Sequence, residues 1–324
     1  RGPGHPDQVC DLVAAAIVEE YQRRDPGARV HIRVMGGHGA MFVTGEIAST
    51  ADFDVSTVVK RVLGSAGVRD EMEPFIALET MNPAWALETG AREGGAVIGY
   101  ATNETPERLP SYVVMARKAA RLMETKRISD EDWFWLDADY EVTVERIEEK
   151  KYVTVVRAGH AEAKPLAEVR TAIHTLLTEA GIPGPIRINP AGEETRTGFA
   201  YRVGSSGRTY ASAGLGSAIP SLVSGVGLHL LHPQNVGAWL VRAAARECVG
   251  QELGQAVMIS VSWLPMETRP HHVRIRNERG DDLGQVVKSE RFDLRSVPEA
   301  YLAPEFLWQS LQVGYKEIEL PWEK

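Results

Sequence analysis

The sequence predicts an α+β fold of more than one domain. Three observations carry this. Stretches with apolar residues at helical spacing alternate with short β-type runs, and hairpin-and-helix groups recur three times without sequence repetition. At 324 residues the chain also exceeds what one small core organises. It is 44% hydrophobic and 25% charged, so a sizeable core is available.

The elements follow in order. Pro6 suits the first helical turn, where its missing N–H leaves no hydrogen bond unmade, and Asp7 puts negative charge among the free N–H groups. Val9, Leu12, Val13, Ala16, Ile17 and Tyr21 continue at helical spacing until Asp25-Pro26-Gly27 stops the helix. Residues 28–34 and 40–47 read as strands joined by Gly36-Gly37-His38-Gly39. Asp54 opens a helix carrying Val58, Val59, Val62 and Leu63, and residues 75–78 are expected as a short buried strand. A long helix is expected over 111–126, then a hairpin, 140–147 and 152–156, around the solvated charged turn Glu148-Glu149-Lys150-Lys151. A further helix over 166–180 ends at Gly181 and Pro183. The last third holds a strand at 186–189, an irregular glycine-rich stretch over 192–227, a helix from about 235 to 249, and β-type runs at 257–263 and 272–276.

Bulk properties narrow the function classes. The 36 Lys+Arg against 44 Asp+Glu give a net charge of −8, which disfavours sequence-independent nucleic-acid binding. No apolar stretch approaches the roughly 20 residues of a membrane span. Cys10 and Cys248 stand far apart, so no disulfide framework is expected and the cytoplasm is the expected compartment. Gly214-Leu215-Gly216 and Gly225-Val226-Gly227 precede no helix with a lysine and read as loops. His229 and His232 have i, i+3 spacing but no third ligand in sequence. Trp133, Phe134 and Trp135 read as packing, and His271-His272 as a strand edge. Asp137 and Asp139 fall on one face of a strand, either as a cation site or as two solvated acids.

Five segments occur in a telling order: Gly4-His5-Pro6-Asp7, Phe42-Val43-Thr44-Gly45-Glu46-Ile47, Gly99-Tyr100-Ala101-Thr102-Asn103-Glu104-Thr105, Ile188-Asn189-Pro190 and Pro321-Trp322-Glu323. In that order the chain resembles the S-adenosylmethionine synthetase (methionine adenosyltransferase) family nearly end to end. The resemblance implies three sheet-and-helix domains around a pseudo-threefold axis, divided here at 1–95, 96–187 and 188–324 with interleaved segments. It also implies a homodimer or tetramer with small-molecule sites between subunits, and no membrane or nucleic-acid partner.

Joining methionine to ATP requires cations and metal ions on a triphosphate and a polar grip on the amino acid. By resemblance, His5 is the phosphate-contacting histidine, Asp7 a magnesium ligand, Glu46 the carboxylate that grips the amino group, and Arg208 the arginine of the G-R-K motif. Asp137 is the acid of the D-A-K motif, but the motif reads Asp137-Ala138-Asp139, and the G-R-K motif reads Gly207-Arg208-Thr209. Two further lysines fall on Leu228 and His232, and a metal-binding aspartate on Gln234. Arg202 replaces an aspartate, Glu194 an adenine-packing phenylalanine, and Arg33 a potassium-site glutamate, so no potassium site is expected. A lid loop before Gly90 reads as shortened, with Met81 near an expected methionine-contacting glutamine.

Four lost charge-assisted contacts, at roughly 1.5–3 kcal/mol apiece, total about 6–12 kcal/mol if additive. That is several orders of magnitude in rate. The expectation is therefore an enzyme of altered substrate or reaction, with His5 and Arg208 catalytic and Glu46, Arg202, Glu194, Asp137 and Asp139 binding the ligand. The alternatives are a true synthetase with a rearranged triphosphate site, and a non-catalytic partner subunit.

Overall fold

The computed structural model describes residues 1–82, 94–149, 151–209 and 225–324. In chain order its principal elements are α1 (Pro6–Arg24), β1 (Arg29–Gly37), β2 (Ala40–Ala48), α2 (Val55–Ser65), β3 (Glu73–Thr80), β4 (Gly95–Thr102), α3 (Ser111–Ser129), β5 (Leu136–Glu148), β6 (Lys151–His160), α4 (Leu166–Glu179) and β7 (Ile186–Ile188). After these come a single turn, α5 (Gly198–Tyr201), then β8 (Val203–Ser205), α6 (Ala238–Gly250), β9 (Ala256–Trp263), β10 (His272–Asn277) and α7 (Glu305–Gln312).

The described strands form three sheets, ordered β3-β2-β1-β8, β10-β9-β4 and β5-β6-β7. Most neighbours are antiparallel; β2–β3 and β6–β7 are the parallel pairs. Sheets therefore cross the chain order. β8 returns from the last third to pair with Met35–Gly37 of β1, and β4 pairs with β9 rather than with its sequence neighbours. Helices α3 and α4 cover the third sheet around Tyr140, Val156, Ile173 and Leu177, while the first two sheets share one larger core with α1, α2 and α6.

Strands β4 and β8 escaped the sequence reading, the latter inside the stretch read as irregular, and two further expectations change on folding. The period in α1 reads as amphipathic, but every residue from Pro6 to Val18 is buried, polar ones included. Its buried polar side chains reach distant segments: Gln8 Nε2 donates to the Leu311 carbonyl at 3.0 Å, Asp11 Oδ1 accepts the Gly207 N–H, and farther along Leu230 N–H donates to Gln22 Oε1 at 2.8 Å. The strand expected as buried at 75–78 lies instead in β3, at the edge of the first sheet. Phe75 is 51% exposed there and stacks on Phe42 at 5.1 Å. An apolar run does not distinguish a buried strand from an edge that leaves one face open.

Candidate functional site

The site begins where the chain start runs along β5. Gly4 N–H donates to the Ala138 carbonyl at 3.0 Å, and a Cβ on Gly4 would lie 2.7 Å from the Ala138 Cβ. On the other side Gly204 of β8 approaches so closely that a Cβ there would stand 2.2 Å from the Pro6 carbonyl carbon. These two approaches clamp His5-Pro6-Asp7 between the first and third sheets. His5 caps α1: its Nδ1 accepts the Asp7 N–H at 3.2 Å. That bond leaves the ring proton on Nε2. Burial, then the positive charges of Arg1, Arg157 and Arg202, lower the His5 pKa to about 2. Near pH 7 His5 is thus a neutral hydrogen-bond donor. Asp7 accepts the Ser205 N–H at 3.0 Å on one oxygen, while the other pairs with Arg1 at 2.9 Å and lies 3.9 Å from Arg208 Nε.

The altered positions gather beside this corner. Asp139, in the place of the motif lysine, is completely buried. Its Oδ1 contacts Arg157 Nη2 of β6, and its Oδ2 accepts the Gly198 N–H at 3.0 Å. Asp137 Oδ1 accepts the Asp139 N–H at 2.8 Å, which turns the strand at a register shift between Leu136 and Tyr140. Of the two sequence readings, Asp137–Asp139 is therefore neither a matched pair of solvated acids nor a free cation site. Glu194 reaches Arg202 Nη2 at 3.4 Å and Arg157 Nη1 at 3.8 Å. Its backbone is fixed by His160, whose N–H donates to the Glu194 carbonyl at 3.0 Å and whose Nε2 accepts the Glu194 N–H at 3.3 Å. An adjoining cleft of about 350 Å³ is lined by Gly4, Asp70, Asp137, His160, Arg196 and Gly198. That volume lies within the range of small-molecule pockets.

Five of the eight predicted residues thus meet directly with one another or through Arg157: Asp7 with Arg208, and Asp139, Glu194 and Arg202. His5 and Asp137 adjoin them through the Asp7 and Asp139 N–H groups. Glu46 does not join them within one chain. It pairs with His31 of β1, four residues or roughly 13 Å along the strand from the β8 contact at Met35. Near Glu46 lies the segment onto which two family lysines fall: Leu228 bridges His31, and His232 Nδ1 accepts the Gln234 N–H at 3.1 Å. His229 and His232 rings meet edge-on at 5.6 Å. Arg33, in the place of the potassium-site glutamate, donates to the Val226 carbonyl at 3.1 Å. The lid loop before Gly90 and Gly214-Leu215-Gly216 lie outside the described residues.

Arg157 and His160 escape the sequence reading. Their only signal is an arginine and a histidine closing an otherwise apolar β-run. As for a metal, no group of three His, Cys, Asp or Glu side chains converges among the described residues. With Asp7 already paired to Arg1, the described donor set does not fit a metal held by this chain alone.

Comparison with known proteins places the fold. Residues 2–90 match the S-adenosylmethionine synthetase N-terminal domain, and residues 88–197 match the central domain of the same family. An S-adenosylmethionine synthase from Sorangium cellulosum (strain So ce56) is 26% identical over 371 residues, covering 99% of this chain and 85% of that protein. A solved structure of an unusual S-adenosylmethionine synthetase from Campylobacter jejuni superposes with a TM-score of 0.78, covering 100% of this chain and 95% of the other. At 18% identity that likeness speaks to the fold alone. The chain belongs to the S-adenosylmethionine synthetase family, as a divergent member.

Proposed function

We propose that this protein is an enzyme of altered chemistry, acting on an amino-acid-like or nucleotide-like ligand at the interface of a homodimer. One observation carries the reading: the replaced residues are wired together. Asp139 and Glu194 engage Arg157 and Arg202, which themselves stand where the family has other residue types or were not anticipated. A site that only decays loses its charges to small or neutral side chains; this one has exchanged them in pairs. In the proposed site Arg202 and Arg208 hold a carboxylate or phosphate, Glu46 of a second copy holds an amine, and neutral His5 donates a hydrogen bond. The outward face of the first sheet supports pairing, because Met35, Phe42, Phe75 and Val203 are each about half exposed or more. No helix among the described residues is long and apolar enough to cross a membrane, and we assign the protein to the cytoplasm.

The test is direct. Purified protein incubated with ATP, methionine and magnesium is expected to form S-adenosylmethionine and phosphate at a rate orders of magnitude below a working synthetase. Turnover at a synthetase-like rate would overturn the reading. A thermal-shift panel of ATP, S-adenosylmethionine, adenosine, amino acids and pyrophosphate is expected to return at least one stabilising ligand. Silence across the panel would move the chain to the non-catalytic class.

A further inference from the structure

Arg157 is held very differently on its two edges. On one, Nη2 contacts Asp139, whose second oxygen is fixed by the Gly198 N–H, so this edge is locked. On the other, Nη1 stands 3.8 Å from Glu194, and neither Nη1 nor Nε makes a hydrogen bond among the described residues. Glu194 Oε2 accepts only a long hydrogen bond from Arg202 Nη2, at 3.4 Å. Charge-assisted contacts close to about 2.7–2.9 Å when nothing opposes them. One carboxylate is therefore shared between two guanidinium groups, at long range to both, and hydrogen-bonds only to Arg202. Its main chain is pinned at both N–H and C=O by His160, so the side chain is free to swing without moving the strand connection. Arg202 is steadied from the side by the Tyr201 ring, 5.9 Å away.

We propose that Arg157 and Arg202 form a two-guanidinium clasp for one oxyanionic group of the ligand, a carboxylate or a phosphate, and that Glu194 is an internal counter-ion displaced from it on binding. Asp139 is the positioning residue that aims Arg157. The clasp deepens the functional reading above and rests on it. It places positive charge on β6, next to the β5 position where the motif lysine has become an acid. It grips a single anionic group, and it is closed by a carboxylate from the same chain when no ligand is present.

The clasp makes an unusual demand: removing an acid must tighten anion binding. The full chain is titrated by calorimetry with pyrophosphate, inorganic phosphate and malonate. Glu194→Gln keeps the shape but deletes the competing charge, and is expected to bind the preferred anion about tenfold more tightly than the unaltered chain. Arg202→Ala, and the double variant Arg157→Ala with Asp139→Asn (which avoids a buried unpaired acid), are each expected to weaken it about tenfold or more. Melting curves establish that each variant is folded. Preference for phosphates or for malonate assigns the ligand group, and either supports the clasp. Unchanged or weaker binding by Glu194→Gln, unchanged binding by the double variant, or no anion binding at all overturns it. Stabilisation of the same protein by amino acids or nucleosides would then leave the functional reading standing without the clasp.

Discussion

Two places in this molecule begin with the same local sequence and end with different work. His5-Pro6-Asp7-Gln8-Val9 opens α1, and His232-Pro233-Gln234-Asn235-Val236 opens the wide turn Pro233–Gly237 that leads into α6. Both histidines cap with Nδ1, accepting the N–H two residues on at 3.2 and 3.1 Å. Both are buried, and burial is the chief reason both pKa values fall, to about 2 and about 3. The surroundings separate them. His5 faces Arg1, Arg157 and Arg202, and its neighbour Asp7 collects arginines and the Ser205 N–H. His232 faces His31 and Arg33, and Gln234 stands where Asp7 stands in the other. A histidine-proline start is thus a local capping device. What makes one of the two part of a site is charge delivered from residues far along the chain.

Removing that charge should have the largest effect and should act on one histidine alone. Arg157→Ala leaves fully buried Asp139 without its cation and is expected to cost about 3–5 kcal/mol in denaturant unfolding. By NMR titration the His5 pKa should rise, though burial still holds it below the ordinary value, while that of His232 stays put. Movement of both, or of neither, would break the comparison.

Acid sensitivity comes next and should be shared. Each histidine has a folded pKa below its unfolded value near 6.5, so the unfolded chain binds more protons between that value and the folded pKa. Their contribution to stability is complete above pH 6.5 and is lost as the pH falls toward 3. Asparagine caps as well but does not titrate. His5→Asn and His232→Asn should each recover roughly 3 kcal/mol relative to the unaltered chain at pH 4, read from stability against pH. An acid limb as steep in both variants as in the parent would remove burial as the cause.

The cap itself is a smaller term. At pH 7 His5→Ala and His232→Ala are each expected to lose about 1 kcal/mol through the unmade bond to the N–H two residues on. Equal losses would mark the caps as interchangeable local devices; a much larger loss at His5 would show that the site stabilises the fold. Smallest of all, Pro6→Ala and Pro233→Ala should each change stability by less than about 1 kcal/mol, since proline there acts chiefly through the unfolded chain.

The sequence by itself determined the α+β class, most helices and strands, the His5-Pro6 helix start and the family, because spacing, caps and short motifs are local; strands β4 and β8 and the His232-Pro233 start escaped it. It also determined that Asp139, Thr209 and Glu194 break the family pattern. Only the tertiary structure decided what those changes do. Arg157 reads as one more residue of a β-run until β5 and β6 pair and bring it onto Asp139. The burial of α1 depended on three separate segments converging on it, and the exposure of Phe75 on the place of β3 at the edge of the first sheet among the described strands. Charge pairing and burial are properties of neighbours in space, and a linear pattern of residue types carries no record of which distant neighbour arrives.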